Sequence, residues 1–578
     1  ESEVGHSARL LGTDNPASTP QPAMLLVPSL MPLAAPLSDA VTSLPGYGAP
    51  PTPQFSGFLN ASAAEPGTYL HYWFAATESR LDWEHAPTIV WFNGGPGSSS
   101  VLGMLQEQGP LLIGKDGKLL RNPYSWTRVA NFFVVESPAG VGYSYCEGMR
   151  RGRGCANSDV STAKAAYAAL QDFFSSKFPE LRPNPFFITG ESYAGVYCPT
   201  LAAEIVGGNG KGAAHINLVG MAVGDPCTDN QAQAQSMDML WYSHKYGLVA
   251  DAEYKFLVDT CGFSVPAHIA AGAWRVGAAA GAVRAEHAAA DGLWSARQKR
   301  LPSTAYRAAG GMSPECKVAH RKYLLGSSRS ISQSWDKAYI NELSFYSPSG
   351  PYRFDMPGTF NYRTAQFMND PATRAALHVT SAPHASAAAA WPGPAPHWSY
   401  HSSYDACNGA AKPDDPRSMV DFYRALAPAL PGKIVVYNGD TDPCVSYEGT
   451  RDAIRKVGFG VVQPARPWFF NFSAAPAELL ARKDVLFGGL LGATSAGPQY
   501  GGQITDYEHG LSFTTVHGSG HMVPTFRPRA ALVLISHVVS NTSLAPSVPA
   551  LGAMSDADFD DFLDKWVDDA KAATYVRP

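Results

Sequence analysis

Pro185-Phe186-Phe187-Ile188-Thr189-Gly190-Glu191-Ser192-Tyr193-Ala194-Gly195 is the stretch whose reading decides the fold. Phe186 to Thr189 is a short β-prone apolar run. It gives way at once to small residues around Ser192, and a helix is expected after them. A sharp strand-to-helix turn lifts its central residue above the sheet and leaves the next N–H pointing at whatever sits there. A serine gains from that position, because its hydroxyl is a weak nucleophile until a base removes the proton. Small residues at Gly190 and Ala194 let the strand and helix approach closely. The last position of such an elbow is usually Gly and is Ala194 here. Alone, the Gly-x-Ser-x-Ala pattern is also what a chance turn looks like, so partners must be sought elsewhere.

Working outward, Thr68 to Ala75 and Pro87 to Phe92 read as strands, the second ending in Asn93-Gly94-Gly95-Pro96-Gly97. Phe132 to Glu136 is another short buried strand, ending in Ser137-Pro138-Ala139-Gly140. Ser161 to Phe178 predicts an amphipathic helix, with Ala163, Tyr167, Leu170, Phe174 and Phe178 on one face, and Pro179 stops it. Further strands are expected at Leu218 to Val223, Lys433 to Tyr437 and Ser512 to Val516. Strands alternating with helices predict an α/β fold, with a mainly parallel sheet covered on both faces.

Two loops after the later strands supply partners. Gly439-Asp440-Thr441-Asp442 follows one, and His517-Gly518-Ser519-Gly520-His521 follows the other. The order Ser, Asp, His is that of an α/β-hydrolase, and strand C-termini are where such sheets build their sites. A histidine there can take a serine's proton, and an aspartate can hold the imidazole's tautomer. Spacing does not separate Asp442 from Asp440, or His521 from His517.

The chain has 578 residues, 45% hydrophobic and 16% charged, with a formal net charge of -5. That is a globular balance, and it argues against nucleic acid or an anionic membrane as partner. No unbroken apolar stretch is long enough to span a bilayer; Ala23 to Pro36 is interrupted by Pro28 and Pro32. The numbering begins at Glu1, which is consistent with a signal peptide already removed. Cysteine spacing matches no metal site, so no metal or cofactor is expected. Cys146 with Cys155, and Cys261 with Cys316, sit at loop-closing distance. Disulfides there, with sequons at Asn60, Asn471 and Asn541, point to the secretory route. Residues 1–53 read as an extended arm, 54–224 and 351–545 as two parts of one core, and 546–578 as an acidic extension whose Asp556 to Asp569 is either a surface helix or a solvated tail. Residues 225–350 read as an inserted helical lid, with an Ala-rich run (Ala278 to Ala290) and a protease-prone Lys299-Arg300.

Taken together, Trp91 to Gly97, Glu136 to Gly142, Gly190 to Gly195, the Asp440/Asp442 loop and Gly520 to Pro524 resemble the signature blocks of serine carboxypeptidases, in that family's order. The resemblance implies an α/β-hydrolase fold and a triad of Ser192, Asp442 and His521. It implies that the N–H groups of Gly95 and Tyr193 form the oxyanion hole. It also implies that Asn93, Gly94, Glu107 and Glu191 hold the substrate's terminal carboxylate. Close carboxyls cannot both ionise cheaply. A protonated Glu191 would donate to that carboxylate, giving tighter binding in acid. The implied reaction is hydrolysis of the C-terminal peptide bond through an acyl-enzyme, in a secreted, vacuolar or lysosomal setting. Peptide or protein C-termini are the implied partners, and a homodimer is the family's frequent state.

The chain departs from the pattern in places. Ser98 stands where the family usually has a Cys that pairs with the match of Cys407, which leaves the disulfide map open. The family's Ile-Gly-Asn-Gly block appears as Val223-Gly224-Asp225-Pro226, to which no catalytic role is assigned. An acyltransferase on the same scaffold is the alternative reading, and Glu191 argues against it, because such relatives tend to carry Asp there. A protective or binding role is the alternative of a different class.

Overall fold

The computed structural model describes residues 37–79, 82–236, 244, 245, 247, 249–262, 313–328, 361–404, 417–442, 445–472, 475–482, 497–549 and 551–573. Residues 1–36, the Ala-rich run, Lys299-Arg300, Cys407 and Cys444 lie outside them. The described strands are β1 (Gln54–Asn60), β2 (Tyr69–Ala75), β3 (Thr88–Phe92), β4 (Asn131–Val135), β5 (Phe186–Glu191), β6 (Leu218–Gly224), β7 (Ile434–Gly439), β8 (Val461–Phe472), β9 (Gly497–Tyr507) and β10 (Leu511–Val516). They form one 10-stranded sheet, in the order β1-β2-β4-β3-β5-β6-β7-β10-β9-β8. The run from β4 to β10 is parallel. Its strands β3, β4 and β5 are buried at every position, as strands covered on both faces must be. This is an α/β-hydrolase fold. Antiparallel pairs close both edges, β1 with β2 and β8 with β9.

The helix expected from Ser161 begins earlier, as α1 (Asp159–Asp172), because Ser158 and Ser161 cap each other's backbone N–H groups at 3.1 and 2.8 Å. Its end also differs. A π-turn over Phe173–Lys177, closed by Phe178 N–H to Phe173 C=O at 2.7 Å, replaces the last α-helical turn. The wider turn brings Phe173 inward beside Phe174 and Phe178, all of them buried. Phe173 stacks on Phe133 of β4 at 4.4 Å, and Phe178 on Phe74 of β2 at 4.9 Å. Tyr167, placed on the apolar face by its spacing, is only half-buried.

The helix α2 (Ala194–Asn209) follows β5, and α3 (Pro528–Val539) follows the histidine loop. The acidic segment near the end is a helix, α4 (Asp556–Ala573), that packs on β8 and buries Trp566 and Ala570. Disulfides join Cys146 to Cys155 and Cys261 to Cys316. The second ties Asp251–Asp259 to Pro314–Ser328, helices that share a small core of Tyr254, Leu257, Val258 and Tyr323. Cys227 is also disulfide-bonded. No helix among the described residues is long and apolar enough to cross a membrane.

The aromatic stack generates a stability prediction. Phe173→Ala removes a fully buried ring that touches β2 and β4, and a loss of about 3–5 kcal/mol is expected. A melting temperature unchanged from wild type would show that the π-turn repacks around the gap.

Candidate active site

Ser192 sits between β5 and α2 with φ of +61°, a left-handed conformation that side chains adopt only under constraint. The constraint is visible. Its N–H is held by Gly224 C=O at 2.9 Å, and its C=O accepts from Gly195 and Cys227 N–H at 2.9 Å each. A Cβ at Gly190 would lie 2.6 Å from Ala194 Cβ, and one at Gly195 would lie 2.4 Å from Cys227 C=O. Only glycine fits either place. Ser192 itself remains half-exposed while Glu191, Tyr193 and Ala194 are buried.

The loop after β3 folds against this elbow. A Cβ on Gly94 would come within 2.3 Å of Tyr193 N and 2.8 Å of Ser192 Cβ, so two backbones meet beside the serine. Gly95 has φ of +112°. Neither Gly95 N–H nor Tyr193 N–H is engaged by another group among the described residues. Unspent donors beside a nucleophile suit a developing oxyanion.

The loops after β7 and β10 are stitched together, with Thr441 N–H and Oγ1 both donating to Ser519 C=O at 2.9 and 2.8 Å. Two of the four Asp–His combinations left open by spacing occur as real contacts. Asp442 Oδ2 meets His521 Nδ1 at 2.7 Å, with side chains 0% and 2% exposed. Asp440 Oδ2 meets His517 Nδ1 at 2.8 Å, with side chains 25% and 53% exposed. Burial separates them, because an ion pair in water contributes little and a buried one strongly biases protonation. Burial opposes a charge on His521, yet the Asp442 carboxylate and its hydrogen bond outweigh that and raise its pKa above the ordinary value. An imidazole held through Nδ1 presents Nε2 as a base.

Behind the elbow lies a carboxyl pair. Asn93 Nδ2 donates to Glu107 Oε1 and to Glu191 Oε1, at 2.9 Å each. Trp91 Nε1 and Gly103 N–H fix Asn93 Oδ1 at 2.8 and 3.0 Å, so its amide cannot be turned round. The three residues are 0–2% exposed. The two carboxyls are held side by side on that one amide, so both cannot ionise cheaply. Burial pushes Glu107 up to about 7. Burial and then the Glu107 charge push Glu191 well above the usual range. Glu107 and His521 stabilise each other's charged forms, so pair and imidazole share one field.

Sequence reasoning missed two carboxyls here. Asp225, noted only as a departure from a block, is buried against Asp442. Asp159, the first residue of α1, accepts from Tyr193 Oη at 2.8 Å, Tyr400 Oη at 2.7 Å and the N–H groups of Ser403 and Tyr404 at 2.6 and 2.8 Å. A buried acid at a helix N-terminus is the signal that could have found it. Of the sequon asparagines, Asn60 and Asn541 are exposed and Asn471 is half-buried.

The chain matches the family described as serine carboxypeptidase over residues 45–541. It is 29% identical over 524 residues to the lysosomal protective protein of Mus musculus, covering 88% of this chain and 94% of that one. It is 31% identical over 521 residues to serine carboxypeptidase-like 28 of Arabidopsis thaliana, covering 89% and 93%. Serine carboxypeptidase 1 of Hordeum vulgare is 27% identical over 538 residues, with 88% and 94% covered. In architecture the chain is similar to a prohormone-processing carboxypeptidase from Saccharomyces cerevisiae, with a TM-score of 0.55 at 18% identity, covering 85% and 91%.

The two Asp–His contacts generate a test. Labelling of Ser192 by a fluorophosphonate is expected to slow about 10³-fold or more in His521→Ala and less than about tenfold in His517→Ala. Equal slowing in both would mean that burial does not decide which pair serves the serine.

Proposed function

This chain belongs to the serine carboxypeptidase family, and from that premise we propose which residues do its work. Ser192 Oγ attacks the carbonyl of the last peptide bond. His521 Nε2 takes the proton and later returns it to the departing amino acid, and Asp442 stabilises the imidazolium between those steps. The N–H groups of Gly95 and Tyr193 receive the oxyanion. The acyl-enzyme at Ser192 is then opened by water.

The single observation that carries the exopeptidase reading is the Asn93–Glu107–Glu191 cluster, in which one rigid amide donates to both carboxyls of a buried pair at 2.9 Å. Glu191 immediately precedes Ser192 in the chain. A carboxyl that keeps its proton can donate to a substrate carboxylate, and an ionised one repels it. The clamp therefore reads the free end of a peptide and sets the cut one residue from it.

The sign of the pH dependence follows. A buried acid whose pKa is raised in the fold is neutral in acid and ionises as pH climbs through the raised value, here about 7 for Glu107. Below that value the pair holds its protons and binds the carboxylate. Above it, binding weakens, and the stability that the neutral pair contributes, which falls as pH climbs from the ordinary carboxyl range to about 7, is gone. An acidic, oxidising lumen suits both this chemistry and the disulfides Cys146–Cys155 and Cys261–Cys316.

The test is release of the terminal amino acid from a blocked dipeptide at pH about 5, abolished in Ser192→Ala. KM is expected to rise as pH passes about 7, and Glu107→Gln, which removes the group that ionises there, is expected to flatten that rise. A KM that stays level from weakly acid to alkaline pH in the wild type would remove the clamp from the reading. Acyl transfer without peptide release would favour an acyltransferase.

A further inference from the structure

Asp225 is among the buried acids to which the mechanism above gives no task. It follows β6, is 0% exposed and has φ of +45°. A residue other than glycine held there is uncommon and is fixed by its surroundings. Its N–H donates to Tyr437 C=O at 2.7 Å. Its Oδ1 accepts from Gly439 N–H at 2.9 Å and from Asn438 Nδ2 at 3.2 Å, both at the end of β7, which leads into the Asp442 loop. Its Oδ2 is buried and receives no donor among the described residues. Side-chain atoms of Asp225, Asp442 and His521 all lie within 4.8 Å of one another.

We propose that Asp225 is a positioning residue for the Asp442–His521 pair, acting as a neutral acid whose Oδ2–H donates to the Asp442 carboxylate. The inference rests on the assignment of Asp442 and His521 to the triad. Two N–H donors on Oδ1 mark that oxygen as an acceptor, so a proton on Asp225 belongs on Oδ2. Two buried carboxylates within 4.8 Å of each other repel strongly, and one proton turns the repulsion into attraction. With the proton in place, Asp442 is fixed from one side by Asp225 and offers Oδ2 to His521 Nδ1 at 2.7 Å on the other.

The titratable groups facing Asp225 are Asp442 from the loop after β7, His521 from the loop after β10, Glu191 from the end of β5 and the Tyr437 hydroxyl from β7. Burial, then the charge of Asp442, lift Asp225 well above the ordinary carboxyl range, in keeping with the neutral form. When that proton is lost, Asp442 loses a donor and gains a repelling neighbour. It is then no longer fixed against His521 Nδ1, and the imidazole loses the support that orients it, so turnover falls as Asp225 ionises. In Asn, the amide would donate where Oδ2–H does and would have nothing to lose.

The experiment measures kcat for a peptide ester, which has no terminal carboxylate and so does not engage the Glu107–Glu191 pair. It is run from pH about 5 to about 9 on wild type, Asp225→Asn and Asp225→Ala. Wild-type kcat is expected to fall on the alkaline side. Asp225→Asn is expected to move that fall upward by about one pH unit or more. Asp225→Ala, lacking both donor and acceptor, is expected to lower kcat about tenfold or more at every pH. Superimposable profiles for wild type and Asp225→Asn would overturn the proposal. So would a wild-type kcat that stays level to pH about 9, a result that needs no variant to fold. Esterase activity surviving in Ser192→Ala would instead overturn the triad assignment beneath it.

Discussion

Too many acids for one base is the constraint on which the site depends. Glu107, Glu191, Asp225 and Asp442 are all buried at the C-terminal end of the sheet around His521. In water four carboxyls would ionise independently at ordinary pH. Here each ionisation raises the cost of the next, and among the described residues the His521 imidazole is the cation they share. Of the four, Asp442 is the one that holds His521, at 2.7 Å. The others gain most by staying neutral, and a neutral carboxyl is a donor as well as an acceptor. On the proposed reading acid conditions are part of the machinery, because they keep those donors in place.

The fold makes such crowding affordable by fixing the backbone first. Gly190 and Gly195 let α2 sit against the sheet and the Cys227 segment, and Ser192 is left standing in a left-handed turn. Gly94 brings a second loop against the first, so that two N–H groups flank the serine. Asn93 is locked by Trp91 and Gly103 before it touches either glutamate. These contacts join residues that are far apart in sequence, and the parallel order of β3, β5, β6, β7 and β10 gathers them on one edge.

Much of this was legible in the residues. The strand–Ser192–helix pattern and the chain order of Ser, Asp and His depend on local spacing, and the elbow stands where that spacing puts it. The choice of Asp442 over Asp440 was not legible from spacing, since both find a histidine. Burial, which depends on the whole fold, distinguishes them. β8 and β9 escaped notice because Pro464 and Pro467 and the register shifts between the strands blur their alternation; such prolines are tolerated on an edge strand. The π-turn at Phe173 was hidden for a similar reason, as the sequence reads as a continuous α-helical face. Asp225 drew attention only as an odd residue in a familiar block, because its partner comes from a distant loop.

Proton counting during binding tests the central claim most directly. In Ser192→Ala, a peptide with a free C-terminus is titrated calorimetrically at pH about 8, in buffers of different ionisation enthalpy. At that pH the Glu107–Glu191 pair has lost a proton, and holding a carboxylate requires its return. The expected result is uptake of about one proton per peptide bound, and none for the same peptide as its C-terminal amide. Equal binding of acid and amide with no proton uptake would contradict a clamp that works by keeping its acid neutral.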